Sequence, residues 1–213
     1  MYNTYLKIII TSLIFIISCS TKAKEIQVWD ESLEITDKET FFVENFADGF
    51  EVPWGMAFLP SHDLLVSDRN GTLWRINKKG NRKEKISGVP DVRYKGQGGL
   101  LDIQIHPKFV TNKFVYISYS DFLPHKKNRS FTSIIRAKLK NNDLINPKII
   151  YKADEKFYTS SKVHYGTRII FDEENYLYFS IGDRGEREEA QSITTPNGKI
   201  HRLNDDGSIP EDN

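Results

Sequence analysis

Two short stretches of the chain hold residue types on which acid–base chemistry would rest. In Lys162-Val163-His164-Tyr165-Gly166-Thr167-Arg168 a histidine stands just ahead of a strand-like run, with Gly166 opening space beside it. Asp183, in Ile181-Gly182-Asp183-Arg184-Gly185, ends the next strand-like run about one hairpin later. Antiparallel pairing of the two runs would bring His164 and Asp183 into one neighbourhood. A carboxylate bonded to one imidazole nitrogen fixes the tautomer and frees the other nitrogen to act as a general base. Spacing alone leaves a structural His–Asp pair, or a solvent-exposed histidine, as the blander alternatives.

A third stretch, Tyr94-Lys95-Gly96-Gln97-Gly98-Gly99-Leu100-Leu101, sets one glutamine among three glycines. Backbone without Cβ atoms can approach a ligand closely, so the Gln97 amide could meet one directly. The stretch lacks the Gly-Lys-Ser/Thr of a phosphate cradle and a strand follows it, not a helix. A turn between sheets with an incidental glutamine reads it equally well. The polar loop at Asp183 does not have the spacing of a calcium loop. His62, His106, His125 and His201 show no ligand spacing to one another and read as surface or turn histidines.

The elements that must position these residues read as strands. From Glu39 onward, strand-length apolar runs such as Gly55–Leu59, Leu64–Ser67, Thr72–Ile76, Leu101–Ile105, Phe114–Tyr119, Thr132–Ala137, Arg168–Phe171, Tyr176–Ile181 and Gly198–Leu203 alternate with turn signals. The turns include Arg69-Asn70-Gly71, Lys79-Gly80-Asn81 and Asp205-Asp206-Gly207. One unit recurs: a glycine opens an alternating strand, a Pro or Asp turn follows, and an aromatic-rich strand ends in a small polar residue and Asp. Its copies begin near Gly55, Gly99 and Gly166, intervals that bracket a four-stranded propeller blade of roughly 40–50 residues plus an insertion. A β-sandwich accounts for the periodicity equally well. Three blades cannot close a ring, so the propeller reading takes the chain as an N-terminal fragment of a longer domain.

Composition sets the outer bounds. The 213 residues are 38% hydrophobic and 28% charged, enough for one domain with a core and too apolar for a disordered chain. A formal charge of +1 gives no field that would favour nucleic acid. The single cysteine excludes an intrachain disulfide and a cysteine-cluster zinc site. After Lys7, the apolar run Ile8–Ile17 is too short to span a bilayer but suits the core of a signal peptide over residues 1–18. Ile16-Ile17-Ser18-Cys19 resembles a bacterial lipobox, which makes Cys19 a candidate lipidation site. Residues 19–38 then form a tether and 39–213 the partial propeller domain, exported to the periplasm or cell envelope and held to the membrane by lipid.

Taken in order, several of these stretches resemble the glucose/sorbosone dehydrogenases, the soluble-type pyrroloquinoline quinone (PQQ)-dependent aldose sugar dehydrogenases. They are Val52-Pro53-Trp54-Gly55-Met56-Ala57-Phe58-Leu59-Pro60, Gly96–Asp102, His106-Pro107-Lys108-Phe109, Tyr116–Ser120, His164–Arg168 with Phe171-Asp172, Tyr176-Leu177-Tyr178, Ile181–Gly185 and Gly198–Pro210. The resemblance runs from about Phe42 to Asn213. It implies a six-bladed β-propeller of which this chain holds roughly three blades, with PQQ and calcium over one face and an aldose oxidised at the anomeric carbon to its lactone. His164 matches the family's general base, Asp183 the carboxylate orienting it, Gln97 the glutamine near cofactor and substrate, and Arg168 a cofactor-side residue of less defined role. Calcium ligands and further PQQ contacts would fall beyond residue 213, so the fragment alone is expected to be inactive. Thr167 and Val163 depart from the family pattern, and Val163 puts glucose preference in doubt. The implied partners are an aldose and an external electron acceptor. The alternative is a surface-anchored propeller that binds carbohydrate or protein without catalysis.

Overall fold

The computed structural model describes residues 32–35 and 38–213, with side chains from residue 38 onward. The signal segment 1–18 and Cys19 lie outside the described residues. The chain divides into two compact units, residues 1–45 and 46–213. In the first, β1 (Ser32–Ile35) pairs antiparallel with β2 (Thr40–Val43), Ser32 opposite Val43 and Ile35 opposite Thr40. The stretch read as a tether therefore contains a strand.

The second unit consists of three antiparallel meanders. Blade one holds β3 (Pro53–Phe58), β4 (Leu64–Asp68), β5 (Thr72–Ile76) and β6 (Lys83–Ile86). Blade two holds β7 (Leu100–Ile105), β8 (Phe114–Leu123), β9 (Lys126–Lys140) and β10 (Asp143–Tyr151). Blade three has β11 (Ile169–Phe171), β12 (Leu177–Ile181) and β13 (Lys199–Leu203). The first strands β3, β7 and β11 pack side by side. Each recurring unit of the sequence is thus one blade; Gly55 lies within its innermost strand, and Gly99 and Gly166 one and three residues ahead of theirs.

Period-2 alternation decides which way each strand's side chains go. In β8, Val115, Ile117 and Tyr119 face a core shared with blade one, where they meet Leu65, Leu73 and Leu100. Tyr116, one residue out of phase, faces a second core with Ile169, Leu177 and Phe179 of blade three. Strand β9 divides likewise, Ile134 to one core and Ile135 to the other. Burying each such aliphatic side chain stabilises by about 1.5–3 kcal/mol, so blade two is held on both faces.

Strands β6 and β10 were not expected from the sequence. Both are outer strands of their blades. Lys83-Glu84-Lys85 carries the charges that blunt an edge, leaving only Ile86 buried. Pro147 falls in β10 where the pairing register shifts between Ile145 and Lys148, a place where an edge strand can spare an N–H.

In a meander the turn between strands two and three and the link to the next blade lie at the same end. That end carries the β6–β7 link with Gln97, the β10–β11 link with His164 and the β12–β13 turn with Asp183. Pairing of Ile169 with Phe179 and of Ile181 with Lys199 fixes the last two beside each other.

Candidate active site

His164 Nδ1 lies 2.6 Å from Asp183 Oδ1. A carboxylate held by two donors is the acceptor here, so Nδ1 carries the proton and Nε2 is the nitrogen turned away from Asp183. Asp183 Oδ1 also accepts the Gly185 backbone N–H at 2.8 Å. That bond first, and the His164 ring second, hold the Asp183 carboxyl below its usual range, so it stays ionised and keeps the tautomer fixed. Behind it, the Asn197 amide donates to the Asp183 carbonyl at 3.0 Å. The His164 side chain is 51% exposed, and among the described residues no hydrogen bond engages its Nε2.

Gln97 joins this pair through its amide. The His164 backbone N–H donates to Gln97 Oε1 at 2.7 Å, which fixes the amide's orientation and leaves its NH₂ for another partner. The Gln97 N–H in turn donates to the Lys162 carbonyl at 2.8 Å. The two links are therefore laced together, and the glutamine is part of the site.

Close approach explains one glycine here. A Cβ on Gly182 would sit 2.1 Å from the His164 carbonyl oxygen, so only glycine lets the Asp183 turn close under the histidine. His164 and Arg184 both adopt left-handed backbone, with φ of +53° and +60°. Non-glycine residues hold that conformation only where their surroundings impose it, commonly at functional sites.

Arg168 is placed differently from His164, Asp183 and Gln97. Its Nη1 donates to Asp102 Oδ1 at 2.8 Å, while the side chain remains 68% exposed. Asp102 is buried on β7 and its Oδ2 accepts the Ile169 N–H at 2.7 Å, so this carboxylate ties blade two to blade three. Burial raises the Asp102 carboxyl above its usual range in spite of both donors. Sequence reasoning gave Asp102 no role, because an isolated Asp within a strand run carries no local signal. Thr167, at one of the departures from the family pattern, is buried and its hydroxyl donates to Ser118.

Two of the four remaining histidines correct the expectation of surface or turn positions. His106 is only 3% exposed; its Nδ1 accepts the Lys108 N–H and the Asn112 amide, each at 2.9 Å. Its ring packs near Phe114, Tyr116 and Phe171. His201 lies on β13 and stacks on Phe179 with ring centroids 5.0 Å apart. Burial lowers the pKa of both; His106 is a buried flat ring, and His201 a half-buried one on the outer strand of blade three. His62 and His125 are exposed at turns, as expected.

Meandering sheets set with their first strands adjacent, and with their polar side chains gathered in the loops of one end, are blades of a β-propeller. Known structures bear this out. The PQQ-bound aldose sugar dehydrogenase from Streptomyces coelicolor superposes with a TM-score of 0.71 at 30% identity, over 80% of this chain and 50% of that one. The apo aldose sugar dehydrogenase from Escherichia coli gives 0.71 at 32% identity, over 77% and 47%. By sequence, the chain is 34% identical over 177 residues to Aldose sugar dehydrogenase YliI of Escherichia coli (strain K12), covering 82% of this chain and 47% of that protein. It is 27% identical over 201 residues to Quinoprotein glucose dehydrogenase B of Acinetobacter calcoaceticus, covering 82% and 41%. The glucose/sorbosone dehydrogenase profile matches residues 50–213, and the chain belongs to that family. It spans about half the length of the curated relatives it matches, and supplies three blades of the propeller.

Proposed function

We propose that this chain carries the acid–base half of a PQQ-dependent aldose dehydrogenase site, oxidising the anomeric carbon of an aldose to its lactone. The observation that carries the reading is the 2.6 Å His164–Asp183 bond with the opposite imidazole nitrogen open, in a loop laced to Gln97. His164 Nε2 takes the proton of the anomeric hydroxyl, and the positive charge that develops on the ring is met by ionised Asp183. The Gln97 NH₂ is free to donate to a sugar hydroxyl or to the cofactor. The residues present suit the quinone: an open base, a free amide, and the exposed Arg168 guanidinium, whose remaining N–H groups match a carboxylate. PQQ, when bound, supplies the acceptor for the hydride leaving the anomeric carbon, and an external acceptor then takes the two electrons. Among the described residues no three His, Cys, Asp or Glu side chains gather into a metal site. Export under the segment 1–18, with lipid on Cys19, belongs to the same proposal.

The test uses the full-length protein with PQQ and calcium, following dye reduction by a panel of aldoses. His164→Ala should lower the rate by about 10²–10⁴-fold, the usual worth of a positioned base. An active wild type whose His164→Ala variant keeps most of its rate would sink the mechanism. Absence of bound quinone, read from its absorbance after mixing, would favour the non-catalytic binding propeller.

A further inference from the structure

Arg184 follows Asp183 directly and is 1% exposed. Its guanidinium lies 3.4 Å from the centroid of the Tyr165 ring. Among the described residues its hydrogen bonds go to carbonyl oxygens: Nη1 to Val163, and Nη2 to Ser161 at 2.9 Å and to Ser130 at 3.5 Å. No carboxylate hydrogen-bonds to it among the described residues, and Nε has no partner at all. Burying a cation this way is unfavourable, so the position calls for a reason.

The reason lies in the Val163–His164 peptide. Its C=O accepts from Arg184 and its N–H donates to Gln97 Oε1 at 2.7 Å. The ring one residue on is bonded to Asp183 at 2.6 Å. His164 is thus gripped at three points, two of them by the consecutive pair Asp183-Arg184. The left-handed backbone of His164 needs such grips, because a residue with a Cβ does not hold it unaided. An arginine suits the task better than a lysine. Its planar fork reaches two carbonyls two residues apart while stacking on Tyr165, which a compact ammonium cannot do.

We infer that Arg184 is a positioning residue: by holding the Val163 carbonyl it fixes the peptide that sets the His164 imidazole on Asp183. The inference rests on reading His164 as the base for its functional meaning, but its geometry stands apart from that reading. The experiment takes full-length protein carrying Arg184→Lys or Arg184→Ala and measures the ¹⁵N shifts of the His164 ring by long-range ¹H–¹⁵N correlation. Wild type should show the Nδ1-protonated tautomer. Both variants should show a mixture of tautomers, with kcat lowered about 10²-fold, KM little changed, and part of the rate in Arg184→Ala restored by added guanidinium. A merely structural role predicts a lower melting temperature with the tautomer and kcat intact, and that result would overturn the inference. Should Arg184→Ala fail to fold, Arg184→Lys decides by the same ring signal. If wild type shows no quinone-dependent oxidation, the functional proposal fails, while the tautomer measurement still decides the role of Arg184.

Discussion

Replacing Gly182 by alanine tests whether the site depends on close packing beneath His164. The new Cβ would lie 2.1 Å from the His164 carbonyl oxygen, 2.6 Å from its carbonyl carbon and 3.1 Å from its Cβ. The first distance is about 1.3 Å short of the roughly 3.4 Å at which ordinary contact begins. Both nearest atoms are backbone, so the histidine itself must move. A shift of that size carries Nδ1 from 2.6 Å to beyond hydrogen-bond reach of Asp183. Overpacking of this kind costs about 1–3 kcal/mol of stability, and misplacing a catalytic group by about 1 Å costs about 10²-fold in kcat. Gly185→Ala supplies the control. Gly185 has φ of +84°, but a Cβ there would meet nothing nearer than 3.6 Å, so the expected penalty is the left-handed backbone alone, about 1–2 kcal/mol. Thermal melts and dye-linked aldose oxidation on the full-length protein should show both variants destabilised and only Gly182→Ala stripped of rate. If both variants lose rate equally, or if Gly182→Ala keeps its kcat, the argument from close approach is refuted.

Two further outcomes follow from the carboxylates. Asp183 is depressed in the folded protein by the Gly185 N–H and then by His164, so its stabilisation is present above the unfolded value of about 3.9 and is lost as pH falls through the lower folded value. Melts of wild type and Asp183→Asn should therefore differ at pH 7 and converge only below the ordinary carboxylate range; convergence already near pH 6 would contradict the pairing. Asp102→Ala strands the buried Ile169 N–H, which Oδ2 now accepts at 2.7 Å, and should lower stability by about 1–3 kcal/mol in urea unfolding. A midpoint within error of wild type would mean that this carboxylate does not tie blade two to blade three.

Much of the blade structure was legible because an inner strand announces itself by apolar alternation. The nine strand-length runs named from the sequence each overlap a strand of the structure. The outer strands were not readable, because an edge is made tolerable by what breaks the pattern: charge in Lys83–Lys85 and proline within β10. The unequal repeat also has a physical origin. Blade two is built on strands of 10 and 15 residues, and a link over residues 152–168 precedes β11, so the extra length is one extended hairpin and one long crossing. The histidines misled for a related reason. His106 is buried and His201 half-buried on a strand, yet nothing in the neighbouring sequence distinguishes a ring packed on Phe171 or Phe179 from one in water.

The site shows the same division more sharply. His164, Asp183 and Gln97 stand out because their residue types are ones that can do chemistry, and antiparallel pairing predicts the meeting of the first two. Arg184 stood in plain view between Asp183 and Gly185 and still gave no signal, because its partners are the main-chain carbonyls of Ser161, Val163 and Ser130, and every residue has one. Which carbonyl a guanidinium meets is decided by the path of the β10–β11 link. That path depends in turn on Gly182 admitting the His164 backbone and on Tyr165 filling the space beneath, where its hydroxyl lies 2.7 Å from Ser130 Oγ. The candidate reacting groups were therefore written in side chains, and the constraints that aim them in backbone contacts that only the folded chain creates.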